Sequence, residues 1–124
     1  SGAKPRVFGV RLGTAARAYT YDGLRQEPLR NDSLGGTPIL VWFAPEIETG
    51  AAYRRQVDGR TLTFRRHSAT AEILVDEETN SRWQAANGKA IAGPLDGTQL
   101  PELVTTTAFA FGWKAYFPRA EITD

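Results

Sequence analysis

Hydrophobic and polar residues alternate over short stretches of this chain, and turn-forming dipeptides separate the stretches. Asp-Gly, Gly-Gly or Asn-Gly pairs stand at Asp22-Gly23, Gly35-Gly36, Asp58-Gly59, Asn87-Gly88 and Asp96-Gly97. Such spacing is typical of antiparallel strands joined by tight turns. The pattern therefore predicts a mainly β fold, a small antiparallel barrel or sandwich built from hairpins and closed by one short C-terminal helix.

The first half of the chain contains two predicted strand units. Arg6–Leu12 and Ala15–Tyr21 flank Gly13-Thr14 and predict a first hairpin, because glycine readily adopts the positive φ of a tight turn. Ile39–Ala44 is an unbroken apolar run with β-branched and aromatic members. A run of this kind indicates a strand that is covered on both faces, so it is the predicted centre of the sheet.

A second hairpin is predicted around Asp58-Gly59, with Ala51–Val57 and Arg60–Arg66 as its strands. A two-residue loop sets the register of a hairpin, so Tyr53 is expected opposite Phe64. Side chains of one parity, including these two aromatics, are expected on the buried face. The other parity carries Arg54, Gln56, Thr61, Thr63 and Arg65 and is expected on the solvated face.

The remaining elements follow from the same reasoning. Glu72–Val75 predicts one strand, and Ser81–Ala85 with Lys89–Ala92 predicts another hairpin. Thr105–Thr107 is interpreted as the cap of a helix whose Phe109, Trp113 and Phe117 recur every four residues before Pro118. The period-two spacing of Phe109, Phe111 and Trp113 leaves a strand as the alternative.

Composition narrows the class of protein. The 124 residues, 41% of them hydrophobic, are enough for one domain, taken as residues 1–124 with a flexible segment at 1–5. No apolar run is long enough for a membrane span. The chain has no cysteine, which excludes thiol nucleophiles, disulfides and cysteine metal sites. A net charge of +1 argues against a general nucleic-acid binder.

Several strings resemble, in order and at similar intervals, the prokaryotic family called domain of unknown function 3179. They cover nearly the whole chain, and the set comprises Ala16-Arg17-Ala18-Tyr19, Asn31-Asp32-Ser33-Leu34-Gly35-Gly36-Thr37-Pro38, Val57-Asp58-Gly59-Arg60-Thr61-Leu62-Thr63-Phe64, Glu78-Thr79-Asn80-Ser81-Arg82-Trp83 and Lys89-Ala90-Ile91-Ala92-Gly93-Pro94-Leu95. The resemblance implies one continuous domain in an extracytoplasmic location, either secreted or in the cell envelope.

The chain departs from the family pattern at one place that matters for chemistry. Members of the family typically have Cys-Pro-x-Cys-Gly directly after the apolar strand, where this sequence has Ala44-Pro45-Glu46-Ile47-Glu48. A histidine-glutamate pair that often precedes the Asn-Asp string is matched here by Glu27-Pro28. Thiol exchange and soft-metal binding both require sulfur, so neither is expected here.

Two sets of residues are candidates for binding. Glu46, Glu48 and His67 are candidate ligand-binding residues, because carboxylates stand where the family has its cysteine motif and His67 is the only imidazole. An exposed strand end for His67 and solvated turns for the acids are the simpler interpretation. No catalytic residue, metal site or cofactor is predicted, since no nucleophile or metal-ligand spacing is present.

The second set is basic. Arg54, Arg65 and Arg66 are candidate partner-binding residues on the solvated face of the second hairpin. The aromatic residues that would stack bases are missing from that face, so a protein partner is favoured over nucleic acid.

Two functions are compatible with these observations. The favoured one is a non-enzymatic extracytoplasmic module that works by protein–protein contact or self-assembly, because the scaffold strings are kept while the family's cysteines are lost. Exposed strand edges pair readily with other chains, and the first strand is expected to be the one exchanged. The alternative is a small-ligand or metal-binding protein, enzymatic or not, that uses the loop after the apolar strand.

Overall fold

The computed structural model describes residues 5–67 and 70–124, with the side chain of Ala71 left undescribed. Of the predicted flexible segment 1–5, all but Pro5 lies outside these residues. The described strands are β1 (Arg6–Leu12), β2 (Ala15–Thr20), β3 (Leu29–Leu34), β4 (Thr37–Ala44), β5 (Thr49–Arg54), β6 (Gln56–Val57), β7 (Arg60–Thr61), β8 (Phe64–His67), β9 (Thr70–Asp76), β10 (Arg82–Gln84), β11 (Lys89–Ala92), β12 (Val104–Phe109) and β13 (Glu121–Thr123). The helices are α1 (Tyr21–Gln26) and α2 (Ala110–Tyr116).

These strands form several small sheets with the orders β12-β1-β2-β13, β11-β10-β9-β8, β3-β4-β5 and β6-β7. Neighbouring strands are antiparallel except β13, which runs parallel to β2. The predictions of a mainly β fold and of a short helix near the C-terminus are confirmed. None of the described sheets closes into a barrel.

The first hairpin is confirmed as β1 and β2, and Gly13 has a φ of 60° in its turn. The first strand, expected to be the one exchanged, does not lie at an edge of its sheet. β1 lies inside its sheet, because β12 pairs with its other side from Arg6↔Phe109 to Arg11↔Val104. The free edges of this sheet are therefore β12 and β13.

The central apolar strand is also confirmed, as β4 between β3 and β5. Ile39, Val41 and Phe43 enter one buried cluster with the aromatic residues of β1 and β2. Leu40 and Trp42 point to the opposite face and enter a second cluster that contains Trp83. Both faces of β4 are thus covered, as a continuous apolar run requires.

The second hairpin is shorter than predicted. Val57 pairs with Arg60 in the expected register, and the Leu62 N–H donates to the Arg55 carbonyl at 2.8 Å. Beyond that point the strands diverge, and Tyr53 pairs with Leu40 of β4 instead of Phe64. The side chain of Arg55 lies in this divergence and donates to backbone carbonyls of Ile39, Leu62 and Asp32 at 2.8–3.0 Å.

The third hairpin is confirmed as β10 and β11. It is anchored by Asp76 at the end of β9, which is fully buried. The carboxylate of Asp76 accepts hydrogen bonds from Trp83 Nε1 at 2.8 Å and from the N–H and Oγ1 of Thr79 at 2.6–2.9 Å. A buried carboxylate is tolerated here because its oxygens are hydrogen-bonded.

The start of the C-terminal helix differs from the prediction. Thr105–Thr107 belongs to β12, and α2 begins at Ala110 after Phe109, whose side chain makes no cap hydrogen bond. Extended residues here pair with β1, a non-local gain that outweighs the local capping preference of threonine. The helix ends at Tyr116, so Phe117, predicted as its last aromatic residue before Pro118, is the C-cap, and Trp113 within the helix is 1% exposed.

Candidate functional site

The turn between β4 and β5 stands where the resemblance noted above implies a cysteine motif. Its Glu48 has a φ of 51° and directs its carboxylate to the guanidinium groups of Arg6 and Arg25, the latter at 2.7 Å. Both guanidinium groups also lie over the Tyr21 ring, at 4.7 and 5.8 Å from its centroid. The hydrogen bonds from the two arginines lower the pKa of the Glu48 carboxyl. Glu48 therefore ties this turn to β1 and α1 as an ionised carboxylate.

Glu46, the other acid of the turn, faces a different region. It lines a cleft of about 270 Å³ together with Trp42, Ile47, Arg66 and Glu72. A second cleft of about 400 Å³ shares Trp42, Ile47 and Glu72 and extends to Gln84 and Asn87. The two clefts follow the side of the β4–β5 turn that faces β9, and Ile47 stands at their common border with 72% of its surface exposed.

His67 lies at the end of β8, opposite Thr70, and lines neither of these clefts. Of the three candidate ligand-binding residues, only Glu46 therefore lies in a described cleft, while Glu48 is held by the two arginines. Arg66, predicted as a partner-binding residue, joins Glu46 there. Within the ranges that the structure describes, no group of three or more His, Asp or Glu side chains is placed to hold a metal ion.

The three candidate basic residues do not form one stripe on a single hairpin. Arg54 belongs to β5 and pairs with Ile39, whereas Arg65 and Arg66 belong to β8 and pair with β9. All three side chains are exposed, as predicted. Their separation into two sheets follows from the early divergence of the second hairpin at Arg55.

The sequence reasoning missed β12 as a surface feature. This strand forms one edge of its four-stranded sheet and consists of Val104, three threonines, Ala108 and Phe109, with no charged residue. Val104 is 61% exposed, Phe109 41% and Phe111 68%. The rings of Phe109 and Phe111 stack on each other with centroids 5.9 Å apart. The period-two spacing of aromatics was the signal for this strand.

The backbone of β12 has one side free. The Ala110 N–H donates to the Pro5 carbonyl at 2.9 Å and continues the ladder with β1. Since antiparallel strands alternate their backbone direction, Thr105, Thr107 and Phe109 point their N–H and C=O groups away from β1. Leu103 has the same parity, and its N–H donates to Ala52 of β5 at 2.9 Å. The C=O of Phe109 accepts the first hydrogen bond of α2, and no described residue pairs with its N–H or with the outward groups of Thr105 and Thr107.

Other edge strands of three or more residues in the described part of the chain carry charges. β13 has Glu121, β11 has Lys89, β3 has Arg30 and Asp32, and β5 and β8 have the arginines named above. Charged side chains on an edge discourage pairing with other chains. β12 lacks this protection. It also contains no proline and no β-bulge, which are the other features that protect edge strands in proteins.

Comparison with known proteins defines the family without indicating an activity. No described helix has the length and apolarity needed to span a bilayer. Neither curated proteins nor solved structures show a match to the chain. Residues 2–122 match the family described as "Protein of unknown function (DUF3179)". The chain therefore belongs to the DUF3179 family, of which it is a cysteine-free member.

Proposed function

We propose that this protein is a non-enzymatic, extracytoplasmic module that binds protein by adding a strand to the β12 edge. The observation that carries the proposal is the row of unpaired outward groups on an uncharged edge, namely the N–H and C=O of Thr105 and Thr107 and the N–H of Phe109. The extracytoplasmic location is supported by the family resemblance. A strand-adding partner would gain main-chain hydrogen bonds along this edge.

The surroundings of the edge favour an apolar contact. Val104 at one end and the stacked pair of Phe109 and Phe111 at the other are the large exposed hydrophobic side chains of this region, together with Tyr116 at 84%. Exposed apolar groups gathered along an unpaired edge mark a protein contact surface more often than a solvated one. Main-chain pairing supplies affinity, and the flanking aromatics supply selectivity.

The proposal is tested with a fluorescent peptide that carries residues 103–110 between solubilising lysines, titrated with the protein in an anisotropy assay. Replacing Thr107 by proline removes the central outward N–H but no hydrogen bond of the β12–β1 ladder, and edge strands tolerate such a proline. The peptide is expected to bind the native protein and to bind Thr107→Pro about tenfold more weakly, the equivalent of one lost hydrogen bond.

Thr107→Val is the matched control, because it changes the same side chain and keeps the backbone donor. Its affinity for the peptide should stay close to that of the native protein. Absence of peptide binding, or equal binding by Thr107→Pro and Thr107→Val, would show that β12 does not act as a strand acceptor. Circular dichroism of both variants verifies that the fold is retained.

A second candidate function is small-ligand binding at the β4–β5 turn. It is favoured by the presence of Glu46, Arg66 and Glu72 around one cleft whose floor includes Trp42. Such a mixture of an aromatic and a few convergent polar groups is typical of ligand sites. Native mass spectrometry of protein prepared without chelators tests it: a bound small molecule that is lost in Glu46→Gln and kept in Glu48→Gln would support this function.

A further inference from the structure

We infer that the strand added to the β12 edge is the β12 strand of a second copy of this chain, antiparallel and with Thr107 opposite Thr107 of the partner subunit. This inference rests on the proposed function, since it names the occupant of the same edge. It predicts a twofold dimer in which two four-stranded sheets join into one continuous sheet across the two edges.

The register follows from which backbone groups point outward. Thr105 and Thr107 have their N–H and C=O groups free, and Phe109 has its N–H free, while its C=O, at the N-cap of α2, accepts the first hydrogen bond of that helix. A twofold axis through Thr107 places Thr105 opposite the partner's Phe109 and Phe109 opposite the partner's Thr105. All three residues then donate an N–H across the interface, and the free carbonyls of Thr105 and Thr107 accept. A shift in either direction leaves at least one of them without a partner, because Leu103 is already bonded to Ala52 and residue 111 lies in α2.

The absence of charged residues from β12 also favours a second copy of the chain as the added strand. In a twofold contact each side chain near the axis meets its own copy, so any charge there would be repelled by an identical charge. β12 has no charge between Val104 and Phe109, and the whole chain has a net charge of only +1. An identical strand is therefore accepted without electrostatic cost, whereas the charged edges elsewhere in the molecule would oppose the same arrangement.

Exposed apolar residues lie at both ends of β12, and the register decides which residues of the partner they meet. Val104 stands at the beginning of β12, and the stacked Phe109 and Phe111 stand at its end. Antiparallel pairing about Thr107 brings the phenylalanine end of each copy to the same end of the joined strands as the partner's Val104. Because side chains alternate along a strand, the partner's Phe109 lies on the same face as Thr105, and Val104 lies on the opposite face of the joined sheet.

The assembly is expected to stop at two copies. The opposite edge of this sheet, β13, has only three residues, and its Glu121 forms an ion pair with Arg17 at 3.4 Å. Pairing of β12 with β13 of another copy would lead to an open chain of molecules. The short, charged β13 edge disfavours that contact and leaves the closed β12 pair.

Single cysteines test the register directly, because the native chain contains none. Thr107→Cys is oxidised in a glutathione redox buffer and analysed by non-reducing electrophoresis, with Thr105→Cys as the matched control. Residues opposite each other in a hydrogen-bonded antiparallel pair have Cα atoms about 5.5 Å apart, within the range of a disulfide. The two copies of residue 105 would be about 13 Å apart along the strands, far outside that range.

The expected result is a cross-linked dimer for Thr107→Cys that forms about tenfold faster than for Thr105→Cys, in keeping with the geometric limits on disulfides. A mixture of Thr105→Cys and Phe109→Cys chains should form the mixed dimer, and native protein should sediment as a concentration-dependent dimer. Self-linking by Thr105→Cys in place of Thr107→Cys would overturn the register.

The experiment also separates this inference from the function on which it rests. Native protein that stays monomeric up to its solubility limit, with no preferential linking of Thr107→Cys, would overturn the second copy as the occupant. If the peptide of residues 103–110 still bound such a protein and binding were lost in Thr107→Pro, the edge would accept a different protein. If the peptide failed as well, both proposals would fall.

Discussion

Gly9 lies in the middle of β1, directly beneath the indole of Trp113, and its replacement by alanine is expected to destabilise the fold. A Cβ built on Gly9 would lie 2.2 Å from Cζ3 of Trp113 and 2.7–2.8 Å from two further atoms of the same ring. Ordinary van der Waals contact begins at 3.4 Å, so the ring or the strand must move by more than 1 Å. The ring has little freedom, because it is 1% exposed and packs against Phe117 with centroids 4.4 Å apart.

The magnitude follows from two opposing effects. Overpacking a buried site costs about 1–3 kcal/mol, and the rigid indole places this site at the upper end. Replacing glycine by alanine also removes about 0.4–1 kcal/mol of unfolded-state entropy, which acts in the stabilising direction. The free energy of unfolding should therefore fall by about 2 kcal/mol, which shifts a urea midpoint by about 1 M at an m-value of about 2 kcal/mol/M.

Gly112 provides a matched control, because it lies next to Trp113 in α2 and undergoes the same chemical change. A Cβ on Gly112 would have no atom within 4 Å. Alanine in a helix interior is more favourable than glycine by about 0.8–1 kcal/mol, so Gly112→Ala should stabilise the protein. Urea unfolding followed by circular dichroism measures both variants. Gly9→Ala with a midpoint equal to or above that of the native protein would refute this account of the β1–α2 contact.

Three further predictions concern buried or paired polar groups and are checked by chemical or thermal unfolding. Asp76→Ala should lower the free energy of unfolding by about 3 kcal/mol, because the buried indole N–H of Trp83 loses its acceptor. Asp76→Asn keeps an acceptor oxygen and should lower it by less, and equal losses in the two variants would contradict this explanation. Arg55→Met should lower the free energy of unfolding by about 3 kcal/mol, because three hydrogen bonds to backbone carbonyls are lost. The same change at the exposed Arg54 should lower it by less than about 0.5 kcal/mol. Because the folded-state pKa of Glu48 is depressed, its stabilising contribution is complete above the unfolded pKa of about 4.5 and is lost as pH falls through the folded value. In Glu48→Gln the unfolding midpoint should therefore fall less steeply as the pH is lowered into the acid range. An unchanged dependence of the midpoint on pH would count against the ion pair.

The sequence predicted which face of each strand is buried better than it predicted which strands pair. Around Asp58-Gly59, Tyr53, Leu62 and Phe64 are all buried and Arg65 is exposed, as the period-two pattern indicates. The pairing of Tyr53 is different because β4, a fully apolar strand from earlier in the chain, competes for it and wins. Burial depends on local alternation, whereas partner choice depends on the whole fold.

The candidate site was predicted less completely for the same physical reason. The exposure of Arg54, Arg65 and Arg66 follows from their polarity and was predicted correctly. The role of Glu48 was not predictable, because its partners Arg6 and Arg25 are distant in sequence and meet it only through the packing of β1 and α1 against the turn. The β12 edge was missed because the local capping preference of threonine favoured Thr105–Thr107 as the cap of a helix.

The position of the first hairpin inside its sheet has a consequence for the order of folding. β1 and β2 are adjacent in sequence and can pair as soon as both are synthesised, but their outer sides are completed by β12 and β13. Arg6 must find Phe109 across about 100 residues, a closure that is slow in entropic terms. During synthesis the early hairpin therefore stays open on both sides until residues 104–123 arrive, and its unpaired strand edges are exposed to association with other chains until then.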